Sequence, residues 1–369
     1  MNHPRVVSSL RSLLMLSLLL GHWAVHAQET QGAVVDWRKA NETVGQYSRG
    51  HADVLRWEGT QKIDATESGV EIPGFALLSA ADAVRAAWAI RPELAALVAR
   101  LDPKTVQHIA DGNWGMVDAG MQRWVHGMDE LFSSAASTRK AWLNAVAARQ
   151  VLKHKEDAVT AAEAAAELGR RMVSIGNWSR YQQAQVALGE SSAVIELKKA
   201  QLAASQAERL LLRFMRLETV HDRVKLPERL PDAPASPVQE PEMQQRLAAI
   251  QASLPRAESR MAKVKAEQAY AAYTTSIDVY RRYREDVLKQ RDLISEETLL
   301  RYNGMLESVW GLLADVGARS QAVMAVINAQ RDALIAETDL LWVLQGGSPE
   351  EFVALGGVSG QAESAGASH

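Results

Sequence analysis

The chain has 369 residues, 47% of them hydrophobic, and a formal charge of -3. That length suits one large domain or two ordinary ones. The near-neutral balance argues against nucleic acid as a partner, and the absence of cysteine excludes disulfides and thiolate metal sites.

The first predicted element is a secretory signal over residues 1–27. Arg5 and Arg11 flank the start of the apolar run Leu13 to Leu20, and Val25-His26-Ala27 offers small or short residues for cleavage after Ala27. The run is too short to span a bilayer comfortably; an uncleaved anchor is the alternative. The chain is therefore expected to be exported. Residues 28–78 form a Trp-bearing N-terminal extension with mixed, irregular structure.

Proline placement organises the rest of the chain. None occurs between Pro103 and Pro227 or between Pro255 and Pro349. Proline costs a helix interior about 3 kcal/mol, so these gaps permit very long helices. Ala, Glu, Gln, Arg, Lys and Leu fill them, the strong helix formers. The spacing predicts a short helix over 79–101 and long helices over 120–174, 178–218, 242–302 and 306–345. Between the halves lies LPERLPDAPASPVQEP, residues 226–241, which reads as an extended linker. The Gly/Ser/Ala-rich tail, 346–369, reads as disordered.

Seven-residue spacing recurs within these helices. Leu188, Ile195 and Leu202 form one row; Tyr273, Tyr280, Val287 and Ile294 form another; a third runs from Leu306 through Leu313, Ser320, Ile327 and Leu334 to Leu341. Such rows mean helices packed along one another. Gly176 and Gly304 each interrupt helical sequence that resumes at once. Each is expected to be the tip of an antiparallel hairpin, with glycine supplying the left-handed residue that ends the first helix and Ser179 capping the returning helix at the first tip. A kinked continuous helix is the other reading. The expected fold is all-α: an elongated bundle of long antiparallel coiled-coil hairpins. It is duplicated, with repeat 1 over 79–225 and repeat 2 over 242–345. Each repeat opens with a short helix carrying a midway proline, Pro92 or Pro255.

This order of elements resembles the TolC-like outer membrane efflux protein family. The residues that carry the likeness are Arg91-Pro92-Glu93-Leu94, Gly176 with Ser179 at the first tip, Leu226 to Asp232 at the end of repeat 1, and Arg301 to Met305 at the second tip. The segments Asp36–Asn41 and Gly50–Glu58 resemble extensions in members near heavy-metal resistance systems. The resemblance implies a homotrimer with a helical periplasmic tunnel. It also implies docking of a periplasmic adaptor (membrane fusion) protein, and through it an inner-membrane pump, at tips comprising Gly176, Asn177, Ser179, Tyr302, Asn303, Gly304 and Met305. Gln182 departs from an aspartate frequent in the family. The family's barrel strand hairpins are also not legible here: residues 256–303 read as one helix without turn or alternation, where a spanning strand needs about 9–11 alternating residues. Without a barrel to clamp a trimer, the expectation for the isolated chain is a monomer or weak oligomer. Two functions are then open: an efflux-system component, or a soluble periplasmic helical interaction protein that has lost barrel and channel.

Candidate chemistry is sparse. The histidines are scattered, and pairs such as Glu296-Glu297 read as solvated helix faces. No enzyme activity and no cofactor are expected. Met116, Met121, His126 and Met128 carry donors that suit Cu(I), against the alternative that methionines fill gaps in a turn-rich segment.

Overall fold

The computed structural model describes residues 75–353, apart from 119–120, 122–124, 235 and 253. The signal segment, almost all of the N-terminal extension with its heavy-metal-type motifs, and the tail from 354 onward lie outside the described residues.

Repeat 1 begins with α1 (Ala80–Ile90), entered through a capping box between Ser79 and Asp82. The short helix expected over 79–101 is in fact two. Pro92 forces Arg91 into extended backbone (φ -95°, ψ 109°) and opens α2 (Pro92–Val98) at its first turn. A further short helix, α3 (Pro103–Asp111), comes next, with the Asp102 carboxylate accepting from the amides of Lys104 and Thr105. The long arm α4 (Met128–Ser174) has 47 residues, about 70 Å of helix. It starts after Gly127 in the left-handed region, later than the expected 120. Its partner α5 covers Arg180–Phe214.

Repeat 2 mirrors this. Helix α6 (Glu240–Gln251) stops before Pro255, which then caps α7 (Arg256–Arg282). Proline thus marks a helix start in both repeats rather than a helix middle. A π-helical turn, Tyr283–Leu288, joins α7 to α8 (Lys289–Asn303). It inserts one residue into the seven-residue rhythm. Before it, Tyr273 and Tyr280 are buried; from its last residues onward Val287 and Ile294 are exposed, and Leu288 and Ser295 are half-buried instead. Helix α9 (Val309–Val343) completes the second hairpin.

Helix α4 packs along both α5 and α9, and α9 packs along α4 and the α7–α8 rod. The order is therefore α5, α4, α9, α7–α8. The outer two do not pack along one another, so the four arms form an open layer rather than a closed bundle. The row Leu188, Ile195, Leu202 illustrates the consequence. Sequence spacing makes it the α4–α5 seam, yet all three side chains are exposed. The seam is built instead from Leu197, Ala204 and Leu211 with Val186, Ala193 and Ala200. Alanine lets the backbones approach closely, and the larger row is turned outward.

The apolar core sits at the ends of the arms remote from the tips. One cluster joins Leu77, Trp142, Leu211, Leu226, Leu230 and Leu334. A second gathers Trp88, Leu94, Ile109, Trp114 and Phe132. A third joins Met243, Leu247, Tyr273, Tyr280 and Leu340. The proline-rich linker is strapped across this base. The Leu230 amide donates to Gln150 Oε1 at 3.3 Å, Gln330 Nε2 donates to the Pro231 carbonyl at 2.8 Å, and the Val238 amide donates to Tyr273 Oη at 3.3 Å. Burial pushes the Tyr273 phenol up to about 12, so it stays a neutral hydroxyl at ordinary pH. Among the described residues the strand content is one two-residue parallel pair, β1 (Phe75–Ala76) with β2 (Val224–Lys225). No barrel closes within them.

Candidate functional site

The two tips have the same backbone construction. At the first, α4 ends in a Schellman motif: the Asn177 amide donates to the Met172 carbonyl at 2.9 Å and the Gly176 amide to the Val173 carbonyl at 3.0 Å. Gly176 is left-handed, φ 80°. At the second, the Leu306 amide donates to the Arg301 carbonyl at 2.8 Å and the Met305 amide to the Tyr302 carbonyl at 3.0 Å. Here the left-handed residue is Met305, φ 60°. Gly304 has φ -81° and ends the helix in ordinary backbone. The expectation that Gly304 supplies the left-handed residue is therefore corrected. The turn pairs Gly176 with Met305, one position beyond the glycine. The hydrogen-bond pattern of a Schellman turn, not the glycine itself, fixes which residue must invert.

Three residues later each chain is capped by serine. Ser179 Oγ accepts from the Gln182 amide at 3.3 Å, and Gln182 Oε1 accepts in return from the Ser179 amide at 3.0 Å. Gln182, which in the sequence stands out only as a departure, completes this capping box; the S-x-x-Q spacing was its signal. At the second tip Ser308 Oγ accepts from the Gly311 amide at 3.1 Å. Sequence reasoning missed Ser308, which stands where Ser179 stands once Met305 replaces Gly304 as the reference point.

The tips present apolar side chains to solvent. Ile175 is 67% exposed, Met305 94% and Leu306 76%. Asn177, Ser179, Asn303 and Gly304 are exposed beside them, and Tyr302 is partly so. Just inside, Trp178 of the first tip stacks on Trp310 of the second hairpin, ring centroids 4.0 Å apart and planes at 28°. Gly169 on α4 lies beside that indole; a methyl there would meet Trp178 Cζ3 in ordinary contact at 3.4 Å. The structure thus brings the two tip groups onto one end of the layer. The arms behind them are cross-tied by Arg170–Glu190 and Lys155–Glu196 in the first hairpin, and by Arg319–Asp292 and Arg291–Asp315 in the second. Arginine and lysine partners hold the Glu167 and Glu196 carboxyls below their usual range.

The methionine-histidine set is divided. Met128 is fully buried with Leu131 and Phe132, Met121 packs against the same cluster, and Met116 and His126 reach solvent. Trp114 is a core anchor: its indole N–H donates to the Ile109 carbonyl at 2.7 Å, and it meets Phe132 edge-on at 5.4 Å. Among the described residues no group of three or more His, Asp or Glu side chains converges as a metal site would require.

The fold is similar to that of the Campylobacter jejuni CmeC outer membrane channel, at 12% identity over 66% of this chain and 68% of that one, with a TM-score of 0.49. It is also similar to a membrane protein from Pseudomonas aeruginosa, at 12% identity over 66% of this chain and 75% of that one, with a TM-score of 0.47. No family model matches the sequence, and no curated protein does. No helix among the described residues is long and apolar enough to cross a membrane.

Proposed function

We propose that this chain is a TolC-like component of a tripartite efflux system. In this reading it is exported to the periplasm, associates with the outer membrane, and docks a periplasmic adaptor protein through its two hairpin tips. The adaptor in turn connects it to an inner-membrane pump. The observation that carries the proposal is the pair of matched tips. Two copies of one turn, Schellman motif followed three residues later by a serine cap, stand at one end of the layer, and each exposes apolar side chains that its own turn does not use. Isolated exposed apolar residues are ordinary, but a shared group at the end of two tied arms reads as a contact surface.

The open layer adds a second support. Along α5 the exposed row Tyr181, Leu188, Ile195 and Leu202 is seven-spaced, and the far edge exposes Met261, Val264, Leu293 and Leu300. Two unlike apolar edges on one chain favour head-to-tail association of copies, which closes as a ring when the rotation allows. The homotrimer implied by the family resemblance is such a ring. The open layer supports such association over the monomer or weak oligomer expected for the isolated chain.

The test is co-purification with the adaptor encoded in the same genome. Ile175→Glu combined with Leu306→Glu should abolish capture while helicity and melting temperature hold. Both residues lie outside the left-handed positions, so the turns are left alone. Unchanged capture by the variant, or no capture by the native chain, would overturn adaptor docking. A second reading, a soluble periplasmic interaction protein without channel function, is favoured by the strand content, which is too short to span a bilayer within 75–353. Membrane fractionation separates the two: stable outer-membrane integration sinks the soluble reading.

A further inference from the structure

One cavity of the described chain lies away from the tips, at the base of the layer. It has a volume of about 780 Å³ and is walled by one face of α4, the end of α5, the last turns of α9, and the segment after α9 up to Val353. That volume is in the range of small-molecule sites. The tips, the seams and the proposed adaptor contact make no use of it.

Its lining has a definite chemistry. Phe214, Trp342 and Phe352 supply aromatic surface, brought from three different elements. Four carboxylates line the same space: Asp129, Asp339, Glu350 and Glu351. Against them stands one cation, Lys140. Lys140 Nζ donates to Asp339 Oδ1 at 2.8 Å and lies 5.8 Å from the centroid of the Trp342 ring. Asp339 is only 1% exposed, and its second carboxylate oxygen is buried without a hydrogen-bond partner. Asp129, Glu350 and Glu351 are exposed towards solvent and take part in none of the ion pairs found among the described residues. The cavity is therefore negative at its rim and aromatic within, and it already holds one ammonium between a carboxylate and an indole.

We infer that this cavity binds a lipophilic organic cation, its apolar body against Phe214, Trp342 and Phe352 and its charge among Asp129, Glu350 and Glu351. Each part of the lining contributes for a stated reason. Aromatic faces attract cations, the more strongly as water is excluded from them. Carboxylates at a half-open rim add a modest attraction each. An organic anion of the same shape meets the same rings but the wrong rim. Lys140 does not reverse this preference, because Asp339 already neutralises it. The inference is independent of adaptor docking.

Tetraphenylphosphonium and tetraphenylborate form the decisive pair of probes, since they share one shape and differ in charge sign. Calorimetric titration of the full chain should give one saturable site for the phosphonium and binding at least tenfold weaker for the borate. The combined variant Asp129→Asn, Glu350→Gln, Glu351→Gln should weaken the phosphonium by about tenfold, the weight of two or three half-exposed charges. These side chains are exposed, so the melting temperature should hold. Trp342→Leu should weaken it as well, in proportion to the lost ring. Equal binding of the two ions, no saturable phosphonium binding, or full binding by the charge variant would each overturn the inference.

Discussion

Trp178 stacks on Trp310 across the two hairpins, with ring centroids 4.0 Å apart. The contact joins the entry of α5 to the first turn of α9, and so ties one tip to the other. Below it the arms are held by ion pairs and alanine seams, which are individually weak. The stacked pair is an apolar link between the hairpins near their tips. Aromatic pairs contribute about 0.5–1.5 kcal/mol beyond their burial. A double-mutant cycle of Trp178→Ala and Trp310→Ala in urea unfolding should give a coupling of about 1 kcal/mol. A coupling near zero would mean the rings are neighbours without mutual stabilisation.

The turn geometry makes an asymmetric prediction about three residues. Met305 bears the left-handed conformation, which costs a side-chain-bearing residue about 1–2 kcal/mol. Met305→Gly should therefore stabilise the chain by about 1 kcal/mol, and Gly176→Ala should destabilise it by about the same. Gly304→Ala should be close to neutral, because its φ is ordinary and an added Cβ meets nothing nearer than the Leu300 carbonyl at 3.4 Å. Thermal melts of the three variants decide the ranking. A large loss at Gly304 with none at Gly176 would contradict the assignment of the inverted residue.

Two carboxylates near the base, buried Asp339 and half-buried Glu337, set a pH dependence. Burial raises the Asp339 carboxyl, with Lys140 opposing, and burial raises Glu337, with Arg139 opposing. A carboxyl raised in the folded state contributes stability that is full below its unfolded value, about 3.9 for Asp and 4.3 for Glu, and is lost as pH rises through the folded value. His154 acts in the other direction: burial lowers it, so its contribution is present above about 6.5 and is lost as pH falls. Asp339→Asn should isolate the first effect. Relative to the native chain it should gain stability as pH rises above about 3.9 towards the raised folded value. Parallel urea curves for the two proteins across that range would refute this.

The outward row on α5 predicts self-association. Leu188→Glu with Ile195→Glu removes apolar surface from an exposed edge of α5. Helicity and unfolding midpoint measured at high dilution should hold. The mass found by sedimentation at micromolar concentration should fall towards that of one chain. An unaltered mass, or a native chain that is already monomeric, would show that this edge does not mediate assembly.

The Val238 amide depends on Tyr273 for its hydrogen bond. Tyr273→Phe should cost about 1 kcal/mol by leaving that amide unpaired at the base. It should also raise exchange of the linker amides relative to those of α4. Loss of stability without local exchange would point to repacking of the core instead.

What the sequence determined by itself is what depends on near neighbours. Proline-free spans rich in helix formers set the long arms, and serine caps with glycine-bearing turns set the hairpins. The five prolines of 226–241 set the linker. These are matters of backbone hydrogen bonds within a turn or two, and residue type decides them locally. Tertiary structure alone decided the rest. Leu188, Ile195 and Leu202 have the spacing of a seam, but α4 offers an alanine face to the other side of α5, and the larger row is left outside. The π turn at Tyr283–Leu288 shifts the inward phase by one residue, which no spacing rule foresees. Met305 inverts although glycine stands beside it, because the helix runs one residue further before its carbonyls are satisfied. The cavity gathers Asp129, Lys140, Phe214, Asp339 and Phe352 from segments up to 223 positions apart. Their meeting depends on how the arms pack, a non-local choice that no stretch of the chain carries within itself.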